Sequence, residues 1–111
     1  PTTTTVVDGT RTTASVQLGP VASTYGTLVL QSGTWNNSGA TSVGHAGTGT
    51  LTLNGGTFTT GTLSLAQAGG TGTVNLNAGT LVTGGITRNS NTAAAGGIIN
   101  FNGGTLKWVD L

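Results

Sequence analysis

Residues that could do acid–base or metal chemistry are few and widely separated in this chain. Its 111 residues contain two carboxylates, Asp8 and Asp110, one imidazole, His45, and neither glutamate nor cysteine. Cleavage of glycosidic bonds on a β-rich scaffold requires clustered carboxylates, or a base beside an acidic pair. Because the two aspartates lie near opposite ends of the sequence, we expect no catalytic pair and predict that the protein is not an enzyme.

Ligand-binding signals are equally weak. His45 follows Gly44 at a predicted turn, and a lone imidazole without carboxylate or thiol partners does not hold a metal ion firmly. Calcium bound by each repeat would require aspartate at fixed positions, where this chain has asparagine. The glycines of residues 69–72 resemble a phosphate loop, but no lysine follows them and no helix is predicted. We therefore expect turns there, and no cofactor and no metal.

The charge pattern excludes further partners. Charged residues make up 5% of the chain, against about 25% in ordinary globular domains. The basic residues Arg11, Arg88 and Lys107 are scattered, so no basic stripe for nucleic acid is predicted.

No apolar run approaches the roughly 20 residues that cross a bilayer, and no membrane span is expected. A chain that starts at Pro1 and lacks methionine is expected to be a processed part of a longer precursor.

The elements that would position any site come from a repeat. A ten-residue unit that begins with glycine occurs four times, with starts separated by 23, 23 and 25 residues. The copies begin at residues 26, 49, 72 and 97. Self-similarity at such a period is typical of a solenoid.

Within each copy, apolar and polar residues alternate with a period of two. Leu51 and Leu53 alternate with threonines, Asn54-Gly55-Gly56 interrupts the strand, and Thr57-Phe58-Thr59 resumes it. A third strand is predicted at residues 63–65. The chain is therefore expected to be all-β, as a parallel β-helix (β-solenoid) of about four to five coils of about 23 residues, with three short strands per coil.

Two segments are predicted within this single fold. Residues 1–25 form a Thr-rich start and a degenerate first coil, because Gly9 lies about one period before Gly33 and residues 16–18 lie 25 before residues 41–43. Residues 26–111 carry the regular β-solenoid repeats. The longer spacing before the last copy places a bulge at residues 88–95, since insertions in solenoids lie at corners.

Stacked coils place equivalent residues about 4.8 Å apart, so the repeat predicts columns. Three inward columns are Leu28, Leu51, Val74 and Ile99; Leu30, Leu53, Leu76 and Phe101; and Trp35, Phe58, Leu81 and Leu106. A last inward column is expected from Val43, Leu65 and Ile86. Because Trp35 and Phe58 lie in such a column, we assign them to the core and not to a sugar site.

The same repeat spacing predicts columns of polar residues. A corner ladder, in which stacked side-chain amides bond to one another, is predicted for Gln31, Asn54, Asn77 and Asn102. An outward threonine ladder is predicted for Thr34, Thr57, Thr80 and Thr105. Between them stand Gly33, Gly56, Gly79 and Gly104, where we expect a positive φ or no room for a Cβ atom.

Several of these segments resemble a known type of repeat. Residues 34–39, 43–44, 47–53 and 55–57 are similar to the passenger-associated repeats of bacterial autotransporters, and related repeats occur in large secreted proteins with an exosortase (PEP-CTERM) sorting signal. Residues 99–107 resemble a strand repeat common in the same proteins. The resemblance covers about residues 24–109. It implies an extracellular or cell-surface β-helix stalk without catalytic residues of its own.

Together these patterns favour a non-enzymatic structural solenoid, secreted or on a bacterial surface, that self-assembles end to end into a fibre. One coil cannot bury enough apolar surface to fold alone, so an uncovered end coil is expected to be adhesive. The residues expected to make this homo-oligomeric contact are Val6, Val7, Leu106, Trp108 and Val109. The alternative is an adhesin that presents its threonine and asparagine columns to carbohydrate or a cell surface. Ice binding is disfavoured, because Val29, Asn36, Asn75, Val82, Asn100 and Lys107 interrupt the paired threonine columns.

Overall fold

The computed structural model describes residues 2–7, 9–19, 25–66, 70–88 and 96–108, and for residues 2–7, 88 and 96 it describes the backbone. The regular structure in these residues is entirely β. The first coil contains β1 (Thr2–Val7), β2 (Thr10–Thr13) and β3 (Val16–Leu18), and the second contains β4 (Tyr25–Leu30), β5 (Thr34–Asn37) and β6 (Thr41–Val43). The third contains β7 (Thr48–Leu53) and β8 (Thr57–Leu65), and the fourth β9 (Thr71–Leu76) and β10 (Thr80–Arg88). A partial fifth coil contains β11 (Gly96–Phe101) and β12 (Thr105–Trp108).

These strands stack into two parallel sheets. The first sheet has the order β1-β4-β7-β9-β11, and every pair in it is parallel. The second has the order β12-β10-β8-β5-β2, with β3 beside β6 and β6 beside β8. The predicted parallel β-solenoid is confirmed. In the third and fourth coils the second and third strands run together as β8 and β10, whereas the sequence predicted separate strands.

The register follows the repeat. Leu28 pairs with Leu51, and Leu51 with Val74, so each step along that column is 23 residues. Leu30 and Leu53 are fully buried, as expected for residues that fill the interior. The rings of Trp35 and Phe58 stack with centroids 5.8 Å apart, which confirms their assignment to the core. The degenerate first coil also has the predicted register, because Val16 pairs with Thr41.

One column was predicted incorrectly. Val43 pairs with Leu65 as expected, but the next partner of Leu65 is Arg88 and not Ile86. Ile86 pairs instead with Leu63, which pairs with Thr41. The period of 23 residues places position 88 above position 65, so Ile86 belongs to the neighbouring column on the same side of the strand. The predicted bulge at residues 88–95 lies, apart from Arg88, outside the described residues.

The corner that follows the first sheet requires glycine for two reasons: its backbone has a positive φ angle, and there is no room for a Cβ atom. Gly33, Gly56, Gly79 and Gly104 have φ angles of 86°, 72°, 80° and 75°. A Cβ atom on Gly56 would lie 2.3 Å from the carbonyl oxygen of Gly33 in the coil below. Both predicted reasons for glycine at this corner are therefore confirmed.

Candidate assembly interface and polar columns

The last coil continues the apolar columns of the core, and no described strand covers its outer side. Phe101 stands above Leu76 in the register, yet 54% of its surface is exposed while Leu76 is 1% exposed. Trp108 stands above the buried Thr83 and is 59% exposed. Leu106, paired with Leu81, packs against the core and is half-buried. These three side chains form an apolar end surface, which we call the C-terminal end.

The backbone at this end is also open. β11 is the outermost strand of the first sheet and β12 is outermost in the second, so no described strand pairs with their outer edges. Such an edge presents a row of N–H and C=O groups that can template another strand. The C-terminal end therefore combines apolar side chains with free hydrogen-bonding capacity.

The opposite end is formed by β1 and β2. The backbone of Val6 pairs with Val29 and that of Val7 with Leu30, and no described strand pairs with the other edge of β1. Arg11 pairs with Trp35, which places it at the bottom of an inward column, where it is exposed. We call this surface the N-terminal end. Of the residues expected to form the end contact, Val109 lies outside the described residues.

The first two strands of the two ends match in length, while β3 has no counterpart among the described residues of the last coil. β1 and β11 each contain six residues, and β2 and β12 each contain four. Inside the molecule, a six-residue strand and a four-residue strand stack on the next coil as β1 on β4 and β2 on β5. The N-terminal end of one molecule therefore has the strand lengths needed to continue the C-terminal end of another.

The corner amides form a continuous ladder of hydrogen bonds. Asn54 donates from Nδ2 to Oε1 of Gln31 at 2.8 Å, Asn77 donates to Oδ1 of Asn54 at 3.0 Å, and Asn102 donates to Asn77 at 2.9 Å. A second ladder, missed in the sequence, runs from Asn100 to Asn75 at 2.8 Å and from Asn75 to Oγ1 of Thr52 at 3.4 Å. Both ladders tie adjacent coils together.

The outward threonines also stack. Thr34, Thr57, Thr80 and Thr105 pair in register, and Thr10 extends the column to the first coil. The outer face of the first sheet carries further columns of hydroxyl and amide side chains, including Thr27, Thr50 and Thr73. Tyr25, at the edge of this face, is 53% exposed. Within its described residues, this face carries no charged side chain.

A buried polar cluster links the coils at the corner between the second and third strands. Asn37 is 3% exposed, donates to Oγ1 of Thr41 and Thr60 at 3.0 and 3.3 Å, and accepts from Oγ1 of Thr13 at 2.8 Å. Thr83 donates to the carbonyl oxygen of Gly61 at 2.7 Å. Sequence reasoning missed this cluster, although polar residues recur there at intervals of 24, 23 and 23.

The side chains of His45, Asp8 and Asp110 are the remaining candidates for catalysis or metal binding. His45 is half-buried at a corner, where its backbone N–H donates to the carbonyl oxygen of Gly19 at 3.1 Å. No three metal-ligating side chains lie together in the part of the chain that the structure describes. Asp8 and Asp110 lie outside that part, so the geometry of a carboxylate pair is not defined.

Comparison of the chain with family models, curated proteins and solved structures finds no match. The described residues contain no helix long and apolar enough to cross a membrane.

Proposed function

We propose that the protein is a structural subunit that assembles head to tail, with the N-terminal end of one molecule stacked on the C-terminal end of the next. The observation that carries this proposal is the exposure of Phe101 and Trp108 at the top of columns whose lower members are buried. A contact between two different ends does not close on itself, so it propagates as a fibre.

The energetics favour covering this end. An aromatic side chain buries about 150–250 Å² when fully covered, so covering the exposed half of each ring contributes about 2–3 kcal/mol. The edge strands would gain a parallel ladder, as β1 has with β4. The chain carries a formal net charge of +1, so long-range repulsion between subunits is small. Contact between the ends therefore combines apolar burial with backbone pairing.

Electron microscopy and sedimentation velocity over a range of protein concentrations test this proposal. Fibres with the width of one molecule should form above a critical concentration, and Phe101→Asp should abolish them by placing a carboxylate in an apolar column of the joint. Tyr25→Asp is the matched control, because Tyr25 is similarly exposed but lies on a side face. Monomers at every concentration, or equal loss of fibres in both variants, would contradict head-to-tail assembly.

The secreted or cell-surface location belongs to the same proposal. It is supported by the resemblance of residues 34–39, 43–44, 47–53, 55–57 and 99–107 to autotransporter-type repeats. A fibre of stacked coils would serve there as a stalk or matrix element.

A second candidate is an adhesin that binds carbohydrate on the outer face of the first sheet. The favouring observation is Tyr25, whose exposed ring stands beside columns of hydroxyl and amide groups. Aromatic rings contribute apolar contact area, and the hydroxyl and amide groups can bond to sugar hydroxyls. Binding to a glycan panel that is lost in Tyr25→Ala and kept in Trp108→Ala would support this function. Absence of binding across the panel would contradict it.

A further inference from the structure

The head-to-tail joint places one charged residue in an inward column. Arg11 pairs with Trp35, so it occupies the column that continues through Phe58 and Leu81 to Leu106. In a stacked fibre, Arg11 of one molecule would lie one coil above Leu106 of the preceding molecule. Among the described inward positions of this column, Arg11 alone is charged, and burial of an unpartnered guanidinium would oppose assembly.

A contact inside the molecule shows where a side chain in this column reaches. Nε1 of Trp35 donates to Oγ1 of Thr13 at 2.9 Å, although Trp35 pairs in register with Arg11 and not with Thr13. The indole therefore crosses one coil down and two residues along the strand. This is the diagonal step from the Trp35 column to the neighbouring inward column of Thr13 and Asn37.

Arg11 lies in the first coil, so the equivalent diagonal contact from Arg11 would be made with the preceding molecule of the fibre. The neighbouring inward column ends at Trp108, which pairs with Thr83. In a head-to-tail joint, the residue one coil below Arg11 and two positions along is therefore Trp108 of the preceding molecule. Trp108 is 59% exposed, and its ring extends so that Cζ2 lies 4.0 Å from the position of a Cβ atom built on Gly85. A flat indole surface thus lies at the end of this diagonal.

We infer, resting on the proposed head-to-tail assembly, that Arg11 is the specificity-determining residue of the joint and stacks on the indole of Trp108 of the preceding molecule. The guanidinium is planar, more weakly hydrated than an ammonium group, and stacks on aromatic faces. A cation over an indole face is attracted more strongly when water is excluded, which stacking of the coils achieves. The contact would also set polarity, since Arg11 is at one end and Trp108 at the other.

A double-mutant cycle on the critical concentration for assembly tests this pairing. Arg11→Ala is expected to raise that concentration about tenfold, equivalent to about 1.4 kcal/mol, and Trp108→Leu to raise it similarly or more. The critical concentration of the double variant should be close to that of the single variant that assembles less well, because either change removes the same contact. Lys107→Ala is the matched control. It also removes one positive charge from the joint but pairs with the outward Val82, and should change the concentration less than about twofold.

The possible outcomes separate this inference from the proposed function. If the unmodified protein forms no fibres, head-to-tail assembly itself fails. If fibres form and Arg11→Ala leaves the critical concentration unchanged or lowers it, assembly stands and the pairing is wrong. Lowering would mean that Arg11 opposes stacking, as inward charges on edge strands do elsewhere. Additive effects in the double variant would likewise overturn the pairing. Circular dichroism of each monomer below the critical concentration checks that the variants fold.

Discussion

At the scale of single residues, this solenoid depends on positions where only one residue type fits. The corner glycines carry the clearest requirement, because each combines a positive φ with the carbonyl oxygen of the coil below at the Cβ position. Buried polar side chains are the second kind, since each must find partners inside the coil or across to the next. Both kinds can be tested with close controls.

Gly56→Ala is expected to lower the free energy of unfolding by about 3 kcal/mol or more. A Cβ atom there would lie 2.3 Å from the backbone oxygen of Gly33, and the φ of 72° is itself strained for alanine. Gly85→Ala is the control, because its nearest contact is an exposed ring atom 4.0 Å away, and its effect should stay within about 1 kcal/mol. Urea titration measures both values. Equal effects would show that the corner is not constrained.

Asn37→Ala is expected to lower the free energy of unfolding by about 2–4 kcal/mol. The substitution removes the partner of Thr13 and Thr41 and leaves a gap in a buried polar cluster. Asn36→Ala, one residue earlier on the outward side, should change stability by less than about 0.5 kcal/mol. Thermal or urea unfolding measures both variants. Equal losses of stability in the two variants would contradict a stabilising role for the buried polar cluster.

At the scale of elements, each strand gains stability from the coils on both sides, and the end strands gain it from one side. Leu53 and Phe101 share a column, but Leu53 is fully buried while Phe101 is 54% exposed. Apolar residues of an end strand should therefore contribute less to the free energy of unfolding than the equivalent residues of an inner strand.

Leu53→Ala is expected to cost about 2–5 kcal/mol, and Phe101→Ala less than about 2 kcal/mol although the side chain removed is larger. The difference arises because Phe101 has no coil above it among the described residues. Urea unfolding at a protein concentration below assembly measures both variants. A larger cost for Phe101→Ala would mean that the end surface is covered in the isolated molecule.

The sequence was sufficient to predict most of the element arrangement. A 23-residue period with alternating leucines determines the coil, its columns and the glycine corners, since stacking requires equal path length in each coil. It failed where polar residues are buried, because Thr60 and Thr83 occupy inward positions two residues after Phe58 and Leu81, where an apolar residue would have been expected. Ile86 was assigned to the neighbouring inward column, two residues away from the correct position, because an inward residue recurs at every second position. The role of Arg11 required the register of the degenerate first coil.

At the scale of the whole molecule, the two ends differ from the side faces. The aspartate, arginine and lysine residues all lie within the first eleven residues or after residue 87, so the coils between them have neutral side faces apart from His45. Phe101 and Trp108 expose apolar surface at the C-terminal end, whereas Tyr25 and Ile98 expose it on the outer face of the first sheet. Among the described strands the open edges lie at the two ends, and these edges favour growth along the axis.

Directed disulfide formation tests head-to-tail stacking most directly. Continuation of the register would place Lys107 of one molecule beside Thr12 of the next, since they are the last and first members of one outward column. The two positions would be about 4.8 Å apart, within the range that a disulfide bridges, whereas four coil steps separate them within one molecule. The chain has no cysteine of its own.

Oxidation of the Thr12→Cys, Lys107→Cys double variant should therefore yield a ladder of covalent oligomers on a non-reducing gel. Each single variant should remain monomeric, and so should a variant that pairs Lys107→Cys with Thr27→Cys on the side face. Head-to-tail stacking would be contradicted by an absence of oligomers in the double variant. Dimers of Lys107→Cys alone would instead indicate contact between two C-terminal ends.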